Sequence, residues 1–256
     1  MLIIDSHCHV GKGDGFTGPW DTHAYIRKFI QRSHEAGITK TVLFAAFSSN
    51  YEKANEEVAK IVNANPDIFF GYAFVHAERD RGKIFRMVER AVNDYGFHGI
   101  KVHRVDARIS REICDVARHF SLPVLYDVYG EVQSIELFAV EYPTVNFIIP
   151  HLGSFADDWK AQLCCIDFVA RHKNVFTDSS GIKRFDLFEM AHERAGAKKI
   201  LFATDGPWMH PGLELSKIMA LRPSPGEAEL MLSKNFLKLI SRVKKNDMSV
   251  VTNSSP

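Results

Sequence analysis

Leu2-Ile3-Ile4-Asp5-Ser6-His7-Cys8-His9-Val10 begins as an apolar, strand-like run and carries two imidazoles one residue apart. Side chains alternate across a strand with period two, so His7 and His9 leave on one face and Cys8 on the other. Asp5 shares the parity of the histidines, one step deeper. Two neutral imidazoles side by side can chelate one divalent ion, and zinc accepts nitrogen ligands readily. Paired histidines also occur on surface strands. Their place at the end of the first apolar strand gives this pair its weight.

Outward from that stretch, short β-rich runs alternate with longer amphipathic ones. The strand candidates are 2–5, 41–46, 69–75, 99–103, 124–129, 146–151, 174–178 and 200–204. Helix-like segments lie at 22–36, 51–63, 83–94, 111–120, 134–140, 160–172, 186–195 and 226–240. Gly37, Pro66, Gly96, Pro123, Pro143 and Gly196 punctuate the joins. Eight strand–helix units are the count of a (β/α)8 TIM barrel, although a doubly wound open sheet uses the same alternation. Polar residues decide between them. Chemically capable side chains end the first, fourth, fifth, sixth and eighth strands, and only barrel closure brings all five to one mouth. A single α/β barrel domain over 1–240 is therefore expected, followed by a frayed polar tail over 241–256. The glycine-rich stretch 11–21 is expected to be a mobile active-site loop. Gly11-Lys12-Gly13 lacks phosphate-loop spacing.

Composition narrows the function classes. A chain of 256 residues, 46% hydrophobic and 25% charged, reads as an ordinary globular protein. A formal net charge of +1 argues against a generally basic nucleic-acid binder. No apolar run approaches the roughly 20 residues that cross a bilayer. Asp5 interrupts the first apolar stretch and no basic region precedes it, so no secretory signal is expected and the cytoplasm is the default location. The four cysteines include an adjacent pair, Cys164-Cys165, and no Cys-x-x-Cys spacing, which points to reduced, mostly buried thiols.

His151 ends the run Phe147-Ile148-Ile149-Pro150, and Asp205 ends Ile200-Leu201-Phe202-Ala203-Thr204 just before Gly206-Pro207-Trp208. Taken singly, a strand-end histidine is usually a satisfied polar group, and an aspartate before Gly-Pro can merely cap a turn. Jointly with His7 and His9 they supply the ligand and base inventory of a hydrolytic metal site.

With these residues in place the chain resembles the amidohydrolase superfamily. The likeness is to the amidohydrolase-related branch that includes aminocarboxymuconate-semialdehyde decarboxylase, with related decarboxylases, hydratases and lactone hydrolases. The matching stretches, in the family's order, are Ile4-Asp5-Ser6-His7-Cys8-His9, Gly99-Ile100-Lys101-Val102-His103, Leu122-Pro123-Val124-Leu125-Tyr126-Asp127, Ile149-Pro150-His151-Leu152-Gly153 and Phe202-Ala203-Thr204-Asp205-Gly206-Pro207-Trp208. Lys234-Asn235-Phe236 is a weaker match in the final helix. The resemblance implies metal ligands at His7 and His9 and a catalytic acid/base at His151. At Asp205 it implies an aspartate that binds or approaches the metal and handles the proton of its water. A divalent ion lowers the pKa of bound water from 15.7 to about 7, and a nearby carboxylate can take up the proton.

The sequence departs from the family at the fifth strand, where Asp127 stands in place of the usual histidine. Asp127 is either a replacement ligand that makes the site harder and more negative or a position that has left the metal. Lys101, His103 and Trp208 are candidate substrate contacts. Lys101 reads most simply as a partner of buried carboxylates, and His103 as a group able to fill a coordination gap left at Asp127. His76, Asp178 and Ser180 also lie near strand ends, where they could line the pocket. The choice of a substrate-carboxylate arginine between Arg104 and Arg108 stays open.

The expectation is a metal-dependent hydrolase that turns a metal-activated water on a small amide, ester or lactone. It would hold one divalent ion, zinc first, manganese or magnesium second. A non-oxidative decarboxylase or hydratase on the same scaffold is the alternative, and a catalytically degenerate binding protein the second alternative. The partner is a small-molecule substrate, with no nucleic acid and no membrane; a homo-oligomer is left open.

Overall fold

A strand covered on both faces reads as an unbroken apolar run, as Val42-Leu43-Phe44-Ala45-Ala46-Phe47 does here. A computed structural model of the chain describes residues 1–14, 23–155 and 158–244. Its strands are β1 (Ile4–Lys12), β2 (His23–Ala24), β3 (Lys40–Ala45), β4 (Phe69–Gly71), β5 (Ala73–Phe74), β6 (Ile100–His103), β7 (Val124–Asp127), β8 (Phe147–Ile149), β9 (Val175–Asp178) and β10 (Ile200–Leu201). Its helices are α1 (Arg27–Glu35), α2 (Tyr51–Ala64), α3 (Ile84–Asn93), α4 (Arg111–Phe120), α5 (Glu136–Glu141), α6 (Trp159–Arg171), α7 (Phe185–Ala195), α8 (Pro211–Ala220), α9 (Pro225–Glu229) and α10 (Asn235–Ile240). Side-chain caps start several helices: Asn50 accepts from Lys53 N–H over 3.0 Å, and Asp158 accepts from Lys160 and Ala161.

The parallel strands run β1-β3-β4 and β5-β6-β7-β8-β9-β10. β4 and β5 form one stave that changes partners midway. Tyr72 N–H still donates to Leu43 O of β3 over 3.0 Å, and Ala73 already pairs with Ile100 of β6. The eighth stave then closes on the first. Ser6 N–H donates to Phe202 O over 3.0 Å, His9 N–H to Gly206 O over 2.7 Å, and Gly206 N–H to His7 O over 3.3 Å. The sheet is thus a closed TIM barrel, as the strand-end residues predict. Closure demands glycine at position 206: a Cβ there would fall 2.4 Å from the Phe29 ring and 2.8 Å from Cys8 Sγ.

Several elements differ from expectation. β1 extends to Lys12, so His7 and His9 lie within the strand and a register shift falls between Asp5 and Cys8. Buried on both sides by closure, polar residues can continue a ladder that sequence pattern would end. His23 and Ala24 pair with Lys12 and Gly11, and the first helix starts only at Arg27. α8 was not expected, because its pattern is inverted: Glu214 is 6% exposed while Leu213 and Met219 are 67% and 51% exposed. The final helix is interrupted by a wide turn over Leu230–Lys234, in which the Met231 carbonyl accepts from Phe202 N–H over 2.8 Å. The greater part of the 11–21 loop and residues 245–256 of the expected tail lie outside the described residues. Among the described residues no helix is long and apolar enough to cross a membrane.

Candidate active site

Parallel strands of a barrel end at one mouth, and here those ends surround a cavity of about 380 Å³. Six of its lining side chains carry chemistry: His7 and His9 from β1, His103 from β6, Asp127 from β7, His151 after β8 and Asp205 after β10. Phe47, Tyr129, Phe155 and Trp208 supply aromatic wall. His151, Leu152 and Asp205 adopt left-handed backbone with φ of 59°, 52° and 57°, a costly conformation for non-glycine residues that clusters at functional sites.

Each strand-end imidazole is anchored through Nδ1. His7 Nδ1 lies 3.0 Å from Asp178 Oδ2, His9 Nδ1 2.9 Å from Ala45 O, and His151 Nδ1 2.7 Å from Ser180 O. Carbonyls and carboxylates only accept, so Nδ1 carries the proton in the neutral rings of His7 and His9 and Nε2 presents a lone pair. Those lone pairs converge on one carboxylate: Asp205 Oδ1 is 3.3 Å from His7 Nε2 and 3.8 Å from His9 Nε2. Ligand atoms of His7, His151 and Asp205 all lie within 4.8 Å of one another. Burial, assisted by the Lys101 ammonium, lowers the pKa of both His7 and His9, which keeps them in the neutral form a metal requires. The Nε2 lone pairs of His7 and His9 and the Asp205 carboxylate fit a divalent cation as a mixed nitrogen–oxygen set, with His151 in the same cluster and Lys101 Nζ 3.5 Å from His7 Nε2.

Asp127 stands with different partners. Register pairs it directly with His103 across β6 and β7. His103 Nδ1 accepts from Val105 N–H over 3.0 Å, so Nε2 bears the proton and donates to Asp127 Oδ2 over 3.1 Å. The same oxygen lies 3.5 Å from His151 Nε2, and Tyr129 N–H donates to Oδ1 over 2.9 Å. Burial would raise the Asp127 carboxyl, but His103 and His151 together hold it well below the usual carboxylate range. Burial would likewise lower His151, yet Asp127 and Asp205 opposite it push its pKa up to about 9. Acceptors face both of its nitrogens, and the surrounding carboxylates favour the protonated form of this cavity-lining ring.

Lys101 is fully buried and lies outside the cavity wall, with Nζ 3.5 Å from His7 Nε2 and 5.0 Å from the centre of the Phe44 ring. Arg104 and Arg108 both bind Glu131, at 2.7 and 3.0 Å, and neither lines the cavity. Trp208 lies at the rim with its ring centroid 5.0 Å from that of His9. Among the described residues the wall therefore contains no arginine and no lysine.

Two groups named in the sequence take other places than expected, and neither lines the cavity. Asp178 was placed only near a strand end, but it is fully buried and orients His7. Burial opposes its charge, yet the His7 imidazole, with help from His151 and Ser180, brings its pKa down to about 2. Asp5 shares the histidines' parity but turns to the closing stave. Its Oδ1 accepts from His7 N–H and Thr204 N–H, and its Oδ2 accepts from Thr204 Oγ1 over 2.7 Å. An acid at the end of β9, after Val175-Phe176-Thr177, and a threonine just before Asp205 were the available signals.

A closed β/α barrel with paired imidazoles, a facing carboxylate and a separate histidine at its C-terminal mouth defines a class of barrel enzymes. The chain belongs to the amidohydrolase family, whose model matches residues 4–240. Solved structures share the fold. A 5-carboxyvanillate decarboxylase from Sphingomonas paucimobilis superposes with a TM-score of 0.74 at 13% identity, covering 95% of this chain and 99% of that one. A dihydroxybenzoic acid decarboxylase from a Polaromonas species, with bound manganese and 2-nitroresorcinol, gives 0.71 at 16% identity, covering 94% and 97%. A 4-oxalomesaconate hydratase from Rhodopseudomonas palustris gives 0.71 at 15% identity, covering 94% and 96%. A search of curated protein sequences found no match.

Proposed function

We propose that this enzyme is a divalent-cation-dependent lyase whose reaction is non-oxidative decarboxylation of a small aromatic or dienoic acid. The observation that carries this reading is His151, whose Nδ1 lies 2.7 Å from Ser180 O and whose Nε2 lies 3.5 Å from Asp127 Oδ2, so that both nitrogens of a ring lining an aromatic-walled cavity face acceptors. Hydrolysis calls first for a base, whereas loss of carbon dioxide calls for an acid to protonate the carbon left behind. The decarboxylases and the hydratase that share the fold support the choice of lyase over the hydrolase expected from sequence.

His7, His9 and Asp205 would hold the cation, which supplies Lewis-acid charge to the oxygens of the substrate. Manganese in the Polaromonas enzyme makes it a candidate beside zinc. The residues of the chain do the rest. Phe47, Tyr129, Phe155 and Trp208 enclose a planar substrate and exclude water. The bond to the carboxylate breaks, its electron pair stays on the substrate carbon, and carbon dioxide leaves. The proton on His151 Nε2 then moves to that carbon. Asp127, itself held by His103 Nε2–H, keeps His151 in place and charged before the transfer. With both nearby arginines bound to Glu131, the cavity suits an acid with a single carboxylate.

Protein loaded with zinc or manganese and offered a panel of aromatic and dienoic monocarboxylic acids should release carbon dioxide, and chelation should abolish the release. Cleavage of esters or lactones with no carbon dioxide from any acid would return the enzyme to the hydrolase reading. Failure to retain any divalent ion after replete growth would favour the binding-protein reading.

A further inference from the structure

We propose that Asp178 is a positioning residue whose single carboxylate sets both His7 and His151, coupling the cation cluster to the acid across from it. Asp178 ends β9 with no exposure and does not line the cavity, so it acts only through its neighbours. Its two oxygens divide the task. Oδ2 accepts from His7 Nδ1–H over 3.0 Å, which turns the Nε2 lone pair of His7 toward Asp205. Oδ1 accepts from His151 N–H over 3.3 Å, Ser180 N–H over 3.1 Å and Ser180 Oγ–H over 2.5 Å. Ser180 in turn receives His151 Nδ1–H on its carbonyl at 2.7 Å, with its hydroxyl 3.0 Å from the same nitrogen.

The backbone needs this hold. His151, Leu152 and Gly153 are three consecutive left-handed residues, with φ of 59°, 52° and 84°. Such a run persists only where its surroundings over-determine it, and the Asp178 oxygen on His151 N–H is one of the groups that do so. The loop after Asp178 is itself braced from α8. Glu214 Oε2 accepts from Gly181 N–H over 3.0 Å, Lys217 Nζ donates to Ile182 O over 3.1 Å, and the two side chains pair at 2.5 Å. Gly181 packs so closely that a Cβ would lie 3.2 Å from His151 Nδ1. The inverted burial of α8 thus serves the site, since its buried acid holds the loop that holds the acid histidine.

Asparagine has the shape of aspartate but an acceptor on one edge only. In Asp178→Asn the amide NH2 must face either His7 Nδ1–H or the three donors on the other side, so one imidazole loses its anchor. The inference rests on the cation-holding role proposed for His7, and the test separates the two. Zinc is titrated into chelator-stripped protein against a chelating dye, and long-range 1H–15N spectra report the imidazole tautomers of the metal-free protein. Asp178→Asn should weaken zinc binding by about tenfold or more and shift the ring signals of His7, His151 or both. Ser180→Ala keeps the buried carboxylate, so it should shift His151 alone and leave zinc affinity within about twofold of the parent. It also answers for the His151 side if Asp178→Asn does not fold. Unchanged rings in both variants, or parental zinc affinity in Asp178→Asn, would overturn the inference. If the parent takes no zinc, the cation role fails instead, and the metal-free spectra alone decide whether Asp178 positions the rings.

Discussion

Replacing Thr204 with valine removes one hydroxyl from the seam where the last stave meets the first, and changes little else. That hydroxyl donates to Asp5 Oδ2 over 2.7 Å and accepts from Gly206 N–H over 3.0 Å. Asp5 is buried, so its orphaned oxygen gains no water as a substitute, whereas Gly206 N–H keeps the His7 carbonyl at 3.3 Å. An unsatisfied buried acceptor costs about 1–3 kcal/mol, which is the loss expected here. In a chain of this size each kcal/mol moves the midpoint by about 2–4 °C, so melting should fall by about 2–12 °C. Calorimetry on chelator-stripped protein reads this without interference from bound metal. Asp5→Asn and the double variant complete a cycle, and contact between the side chains requires the double variant to cost less than the sum by at least about 0.5 kcal/mol. A melting point within 1 °C of the parent for Thr204→Val, or strict additivity in the cycle, would refute the seam as a stabilising element.

The same aspartate sets a pH dependence. Burial raises the Asp5 pKa from 3.8 to about 8, so the folded chain holds a proton that the unfolded chain releases. Its contribution is complete below about pH 4 and is lost as pH rises through about 8; Asp5→Asn, neutral throughout, should therefore gain on the parent in melting temperature between pH 5 and 8, and parallel curves would count against it. His7→Ala should fold with an unchanged far-ultraviolet spectrum yet lose stoichiometric zinc by elemental analysis; full retention of the ion would remove His7 from the ligand set. His151→Gln should keep its metal and lose about 10²–10⁴-fold in carbon dioxide release, because the proton donor is gone. Near-parental turnover in that variant would assign the proton to another group.

The barrel was legible because chemistry and topology left the same trace. His7, His9, His151 and Asp205 each follow an apolar run, and only a closed ring of strands gives them a shared location. The pairing of Asp127 with His103 was half-visible: both end adjacent strands, but a one-residue difference in register would have separated them, and register is set by the neighbours. Asp178 was harder. Sequence pattern marks a buried acid as an interruption and says nothing of which oxygen meets which ring. α8 stayed hidden because periodicity finds helices by their apolar face, whereas this one turns Glu214 inward and Leu213 outward. The aromatic wall draws on segments far apart in sequence, so no local window contains it.

Ring closure by the first and last staves has a consequence for how the protein is made. A ribosome delivers residues in order, and the hydrogen bonds from Ser6 and His9 wait for acceptors near residues 202 and 206. Until those emerge, the nascent sheet keeps two open borders, each a template for wrong pairing with another chain. Closure of the ring therefore waits for the last stave, and chaperone demand should peak just before that stave leaves the exit tunnel.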